Sequence, residues 1–257
     1  MKATVIHNSL WGAKQGFLTL MAAKFAEAYK AGQMCMLSVA DAASSTDPLL
    51  RRPFAPYDVN PYEGTISIMY AITGRGTLLL SKQSVGTALS LSLPHGRAFT
   101  LASNSKAALV AGGVGVGPMH FLAKTLNNSG CDVTIFYGAR TAMEFYTPFR
   151  EKPAPYKWIL CTEDGSLGYK GFVTRAFADK ASLFDMCYTC GPKPMMKAVQ
   201  AVCAEYNKPL ELSMEETMAC GIGVCSGCMV RIIEDGATTL QRCCTEGPVF
   251  DGHSIMW

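Results

Sequence analysis

Cys220-Gly221-Ile222-Gly223-Val224-Cys225-Ser226-Gly227-Cys228, with Cys243 and Cys244 a short way on, constrains this chain more than any other stretch. The spacing is C-x4-C-x2-C with a further cysteine beyond, the plant-type arrangement in which four thiolates hold the two irons of a [2Fe–2S] cluster. Gly221, Gly223 and Gly227 fill the gaps. Glycine accepts positive φ and close backbone approach, so such a segment can curl with its amides aimed inward at sulfur, which neither a helix nor a strand could do. A structural zinc site is the alternative, although four zinc-binding cysteines more often form two C-x2-C knuckles held apart by a longer spacer. Cys220, Cys225 and Cys228 are three candidate ligands. The fourth is one of the neighbours Cys243 and Cys244, because adjacent residues of an extended segment point opposite ways and only one ligates easily.

At 257 residues the chain suffices for two domains or one large one, and with 49% hydrophobic and 17% charged residues it has material for real cores. A net charge of +3, dispersed along the chain, argues against nucleic acid as a partner. Eleven cysteines would suggest disulfides in a small secreted chain, but Met1-Lys2-Ala3-Thr4 soon meets His7 and Asn8 without a signal-peptide apolar run. Reduced thiols in a cytoplasmic protein are therefore expected. No apolar run approaches the roughly 18 residues of a membrane span. The nearest, Ala107 to Val116, is broken by glycine, so no membrane contact of the chain's own is expected.

Three textures divide the chain. Residues 1–101 mix short β-type runs such as Thr65-Ile66-Ser67-Ile68-Met69-Tyr70 with turn clusters, which predicts a small antiparallel barrel or sandwich. From 102 to 210 apolar strands alternate with helix-like segments: Ala107–Ala111 then Pro118–Asn127, Asp132–Tyr137 then Thr141–Arg150, Met186–Cys190 then Pro194–Tyr206. That alternation implies a parallel sheet with crossover helices. Residues 211–257 form the cysteine zone, with β runs such as Met229-Val230-Arg231-Ile232-Ile233. The expected fold class is thus a multidomain β plus α/β protein with a small C-terminal cluster module.

Ala111-Gly112-Gly113-Val114-Gly115-Val116-Gly117-Pro118 stands between an apolar strand and a helix. Such a turn leaves amides at a helix N-terminus, where they and the helix dipole favour a pyrophosphate. Gly113, Gly115 and Gly117 would keep side chains out of its way; a tight strand–helix turn needing glycine only for packing is the other reading. Two more polar, glycine-rich loops, Thr162–Gly168 with Asp164 and Gly165, and Cys190-Gly191-Pro192, also follow strands. All three loops fall where open α/β sheets bind nucleotides.

Taken in order, Arg52-Pro53-Phe54, Gly76-Thr77, the loop Gly112–Pro118, Cys190-Gly191-Pro192 and the cysteine tail resemble the ferredoxin–NADP reductase superfamily. The tail, Met218 to Cys228 and then Cys244-Thr245-Glu246-Gly247-Pro248-Val249-Phe250, is similar more specifically to electron-transfer subunits of class 1B dihydroorotate dehydrogenases. The likeness runs over essentially the whole chain. It implies an N-terminal FAD-binding barrel, an NAD(H)-binding domain and a [2Fe–2S] module, serving a separate FMN-containing catalytic subunit in pyrimidine biosynthesis, with two of each chain. Sister reductase subunits, of the NADH-dependent ferredoxin:NADP+ oxidoreductase or sulfhydrogenase type, and a zinc-stabilised redox-sensing module are the competing readings.

Position by position, the resemblance puts flavin contacts on Arg52, Pro53, Phe54 and Ala55, on Met69, Tyr70 and Ala71, and on Gly76 and Thr77. It puts nucleotide contacts on Gly112, Gly113, Gly115, Gly117, Pro118, Gly191 and Pro192. The family's matching cysteine brings Cys190 to the nicotinamide, and the Gly247-Pro248 pair favours Cys244 over Cys243 as fourth ligand. Independent reasons accompany some of these: an Arg fork suits a diphosphate, and Gly76-Thr77 can offer an amide and a hydroxyl. Arg52 also reads as a solvated surface residue, Tyr70 equally as core. The chain departs from the family at Ala55, where Ser or Thr is usual, and at Leu93-Pro94-His95-Gly96, where Gly-Pro-hydrophobic-Gly is usual. Arg140 reads either as a contact for a 2′-phosphate or as solvated.

Overall fold

The computed structural model describes residues 2–12, 14–40, 47–146 and 155–257. The N-terminal part is built on a five-stranded antiparallel sheet in the order β5-β6-β2-β1-β7. Its strands are β1 (Lys2–Trp11), β2 (Gln15–Met21), β5 (Asp58–Asn60), β6 (Thr65–Ala71) and β7 (Ala88–Ser90). A two-stranded ribbon of β3 (Cys35–Leu37) and β4 (Arg52–Phe54) closes over it, joined through the Leu37–Leu91 and Met34–His95 bridges. Alternation decides which way the strands face: Val5, Leu18, Leu20, Ile66 and Ile68 meet inside with Leu37, Leu89 and Leu91. Two short helices, α1 (Ala23–Ala26) and α2 (Arg75–Leu80), complete this part.

A seven-stranded sheet in the order β11-β10-β9-β8-β12-β13-β16 forms the second part. Its central strands β8 (Lys106–Gly112), β9 (Asp132–Ala139), β10 (Lys157–Thr162) and β12 (Met186–Cys190) run parallel and are mostly apolar, as strands covered on both faces are, with Thr134, Thr162 and Thr189 buried among them. Helix α3 (Val116–Asn128) covers one face, while α4 (Val173–Ala178) and α5 (Lys193–Glu205) cover the other. The short β11 (Tyr169–Lys170) lies at one edge. At the other edge stand β13 (Leu210–Ser213) and the antiparallel β16 (Val249–Asp251).

Two expectations change. The segment Thr141–Arg150 is not an α-helix over its described part: Ala142–Glu144 is a single 3-10 turn and Phe145 is extended, while 147–150 lie outside the described residues. The extended backbone sends consecutive aromatics apart, Phe145 onto Tyr137 at 4.7 Å and Tyr146 onto Phe17 of β2 at 4.9 Å. Those contacts outweigh a weak helical preference ahead of Pro148. The boundary placed between 210 and 211 falls inside β13, which pairs with β12 from Leu210 to Ser213. The tail therefore begins as part of the nucleotide-type sheet.

The cysteine zone hangs from that edge. β14 (Met229–Glu234), β15 (Ala237–Arg242) and β17 (Ile255–Met256) form a three-stranded antiparallel sheet. Buried Glu211 staples the linker to β13, accepting from the Thr100 amide and hydroxyl, both at 2.8 Å. Gly96, at φ +82°, lies so close to the Gly247 carbonyl that a side chain there would collide with it. The turn at Leu93–Gly96 thus clamps the cysteine zone to the barrel.

Candidate functional site

Three features line up across the molecule. The first is a cavity of about 470 Å3 between barrel, sheet and tail. Pro53, Phe54 and Ala55 at the end of β4, Met69, Tyr70 and Ala71 at the end of β6, and Thr77 on α2 form its barrel wall. Pro118 and Cys190 come from the second part, and the run Ser213–Met218 comes from the tail. Arg52 does not line the cavity; its guanidinium crosses Gly76, where an added Cβ would meet Nε at 2.8 Å. The Thr77 hydroxyl is occupied by its own turn, accepting from the Thr73 amide at 3.0 Å and donating to the Gly74 carbonyl at 3.2 Å. Tyr70 is chiefly core: its ring lies over Gly16, whose missing Cβ makes the room, and its hydroxyl donates to Asn8 Oδ1 at 2.9 Å. Cys190, 1% exposed, presents a thiol that burial, with Glu215 beside it, pushes well up, so it is a protonated group and not a nucleophile.

The second feature is a cavity of about 600 Å3 at the C-terminal ends of β8, β9 and β10 and the start of α5. Gly112, Gly113 and Pro192 line it, together with Glu144, Glu163, Phe172 and Val173, to which no sequence motif pointed. The other glycines serve packing. A Cβ at Gly115 would enter the Cys190 carbonyl, and one at Gly117 would touch Met69 Cβ at 3.6 Å across the barrel contact. Gly191, at φ +152°, lets its backbone approach Gly112, where the Gly112 amide nitrogen would be 2.9 Å from an added Cβ. Asp164 and Gly165 are also turn residues: the Asp164 carboxylate accepts from the Ser166 amide and hydroxyl at 2.9 and 2.6 Å, and Gly165 sits at φ +79° under the Lys170 side chain. Arg140 lines the cavity but is held by Glu144, with Nη2 to Oε1 at 2.7 Å. Glu163 is thus one residue from the position expected; it directly follows β10, whose C-terminal end faces the cavity.

The third feature is the cysteine loop. The amides of Cys225 and Ile222 both point at Cys220 Sγ, each at 3.5 Å, and they, with the Cys225 thiol, bring Cys220 down to about 6. Cys228 and Cys244 hydrogen-bond as a second pair, near the Gly223 amide; burial pushes Cys244 up to about 11. Among the described residues no group of three His, Cys, Asp or Glu side chains gathers tightly enough for a single metal ion. The four thiols stand two by two instead. Inward amides and paired thiols fit the ligand demand of a two-iron cluster, which takes two thiolates per iron. Cys243 points elsewhere: burial pushes its thiol up, and it donates to the Met214 carbonyl at 3.4 Å. Arg242 braces the loop, donating to the Gly223 carbonyl at 3.2 Å while gripping Glu246 at 2.6 Å.

Two protein-family models match in the same places. Residues 215–256 match the iron–sulfur cluster binding domain of dihydroorotate dehydrogenase B, and residues 109–201 match an oxidoreductase NAD-binding domain. The electron transfer subunit of dihydroorotate dehydrogenase B (NAD(+)) of Geobacillus thermodenitrificans is 36% identical over 259 residues, covering 99% of this chain and 98% of that protein. The chain belongs to this family of electron transfer subunits. The corresponding subunits of Desulforamulus reducens and Clostridium acetobutylicum are 38% and 39% identical, covering 83% and 82% of this chain and 82% and 81% of their own lengths. Among solved structures, that of an NADH-dependent reduced ferredoxin–NADP oxidoreductase superposes at TM-score 0.87 with 26% identity, over 99% of this chain and 90% of that one. A ferredoxin reductase of carbazole 1,9a-dioxygenase shares the fold at TM-score 0.67 and 19% identity, over 82% of this chain and 68% of its own. Among the described residues no helix is long and apolar enough to cross a membrane.

Proposed function

We propose that this electron-transfer subunit joins NAD(H), bound in the second cavity, to FAD in the first and to a [2Fe–2S] cluster on the cysteine loop. Its partner is an FMN-containing dihydroorotate dehydrogenase catalytic subunit, assembled two and two. The observation that carries this reading is the shared wall of the first cavity: the barrel, Cys190 at the end of β12, and the run Ser213–Met218 that leads straight into Cys220 all face it. A group there would touch the nucleotide side through Cys190 and the cluster side through Met218. The bound groups supply the conversion, since nicotinamide moves two electrons as a hydride, an iron–sulfur cluster moves one at a time, and a flavin does both.

The chain's own residues orient and enclose. Cys190 keeps its proton and offers a small, soft surface where the nicotinamide would meet the flavin. Gly112, Gly113 and Pro192 leave room for the dinucleotide backbone at the start of α3 and α5. Arg140 and Glu144 neutralise each other, which leaves Glu163 to make the rim net acidic; that suits ribose hydroxyls and disfavours a 2′-phosphate. NAD(H) is therefore the expected dinucleotide.

The purified protein is expected to show flavin and iron–sulfur absorbance, with iron and labile sulfide near two of each per chain. Stoichiometric zinc in anaerobically prepared protein would sink the cluster assignment. A pull-down from the native host tests the partner; recovery of a different flavoenzyme in place of the dihydroorotate-oxidising subunit would refute it.

A further inference from the structure

Between the first cavity and the cysteine loop lies a buried core rich in sulfur. Met34, Met36, Met214 and Met218 are all buried there beside Cys228, Cys243 and Cys244. Each methionine touches an end of the gap. Met34, in the bridge just before β3, and Met36, within it, share one face by alternation; Met34 lines the cavity, while the Met36 thioether lies against Gly221, next to Cys220. Met218 lines the cavity two residues before Cys220, and Met214 lines it and accepts the Cys243 thiol. Cys243 is covalently next to Cys244, whose sulfur pairs with Cys228. A continuous path of bonds and one hydrogen bond thus runs from a ligand of the loop to the cavity wall: Cys244, Cys243 Sγ–H, Met214 C=O.

We propose that Cys243 is a positioning residue for electron transfer, its S–H···O=C bond to Met214 coupling the cluster side to the flavin side, with Met36 forming a parallel thioether contact. This rests on the assignment of FAD to the first cavity and of the cluster to the cysteine loop. Buried bonds and polarizable sulfur carry an electron across a gap better than empty space or mobile water does, and methionine combines packing adaptability with a soft, polarizable atom. With both groups bound, each crossing would move one electron from the reduced flavin to the oxidised cluster, and the cluster would pass it to an acceptor, the partner subunit's flavin or an artificial oxidant, before the second crossing completes the two electrons of one hydride from NADH; no bond within the chain is made or broken.

The test uses the holoprotein, with NADH as reductant. Stopped-flow absorbance follows flavin and cluster separately, and an EPR redox titration gives the cluster's midpoint potential. Cys243→Ala is expected to keep full iron, sulfide and FAD, to reduce its flavin at the wild-type rate, and to reduce its cluster severalfold more slowly at an unchanged potential. Cys243→Ser, whose hydroxyl can donate to the same carbonyl, should recover most of that rate. Wild-type cluster reduction in the Ala variant overturns the proposal; so does slowing that tracks a shifted potential, or a Ser variant as slow as Ala. Should Cys243→Ala fail to hold its cluster, Met36→Leu decides, since it nearly conserves volume and removes the thioether: slowed reduction of a fully loaded cluster supports the path, and wild-type speed overturns it. A wild-type protein without flavin or iron would overturn the cofactor assignment itself. Normally loaded variants with unchanged rates would overturn the bridge alone.

Discussion

Gly113 and Gly115 look alike in the loop but do opposite jobs. Gly113 sits at φ +55° with open space where a side chain would go, on the wall of the second cavity, whereas a Cβ on Gly115 would be driven into the Cys190 carbonyl. Gly115→Ala is therefore expected to cost roughly 1–3 kcal/mol, because backbone cannot yield as a side-chain tip can, and to lower the melting temperature. Gly113→Ala should cost on the order of 1 kcal/mol of left-handed strain and chiefly raise the KM for NADH. Thermal melts and steady-state kinetics on both variants check the assignment; a stable Gly115→Ala protein with weak NADH binding would reverse it. Glu163 carries a second expectation. Glu163→Arg removes a carboxylate from the rim and adds a fork suited to phosphate, so the ratio of kcat/KM for NADPH over NADH should rise by about tenfold or more, on the order of one charge-assisted contact. An unchanged ratio would place the adenosine ribose elsewhere. Both results concern residues whose type was readable from sequence but whose direction was not: a glycine shows that room is needed without showing what approaches, and Glu163 stood beside the chosen Asp164 with nothing local to separate them.

The contact of α3 with the barrel shows how one helix fixes the relation of two parts. His120 stacks on Tyr57 at 4.1 Å and hydrogen-bonds both its hydroxyl, at 3.2 Å, and its carbonyl, at 3.1 Å, while Lys124 pairs with Asp58 at 2.7 Å one turn on. Burial brings His120 down to about 4 from its usual 6.5. A depressed histidine binds fewer protons folded than unfolded between those values, so stability should be full above pH 6.5 and fall as pH drops towards 4, by up to about 3 kcal/mol. Urea midpoints from pH 7 to 5 should slope in the wild type and flatten in His120→Gln; equal slopes would assign the acid sensitivity to other groups. The cysteine loop is the second decisive element. Cys225→Ser is expected to abolish the cluster, read as lost iron and visible absorbance, since Cys225 would supply one of its thiolates and its amide already points at Cys220 Sγ. The spacing made this loop legible because a cluster demands its ligands at short, glycine-broken intervals. The segment after Arg140 was not legible, because aromatic contacts with a strand more than a hundred residues away overrode its local pattern.

For the whole molecule, the order of the cavities makes a prediction about divided labour. The isolated subunit should pass electrons from NADH to a small artificial acceptor yet oxidise no dihydroorotate, and adding the proposed FMN-bearing catalytic subunit should give dihydroorotate-dependent reduction of NAD+. Cys220→Ser should then depress the coupled reaction far more than NADH-driven flavin reduction, because the hydride step does not require the loop. Equal loss of both in a variant that still holds FAD would contradict the order from nicotinamide to flavin to cluster. Periodicity, turn residues and cysteine spacing were enough to expect an antiparallel barrel or sandwich, a parallel sheet and a metal-binding cysteine loop in that order along the chain, since these signals are local and each element must satisfy its own backbone and bury its own apolar face. What they left undecided was what meets what. Only the folded chain makes β13 part of the nucleotide-type sheet, turns Gly115 and Gly117 to packing, sets Glu144 on Arg140, and separates Cys244, paired with Cys228, from Cys243, which reaches back to Met214. These outcomes depend on contacts between residues far apart in sequence, and no local pattern carries the direction in which such neighbours arrive.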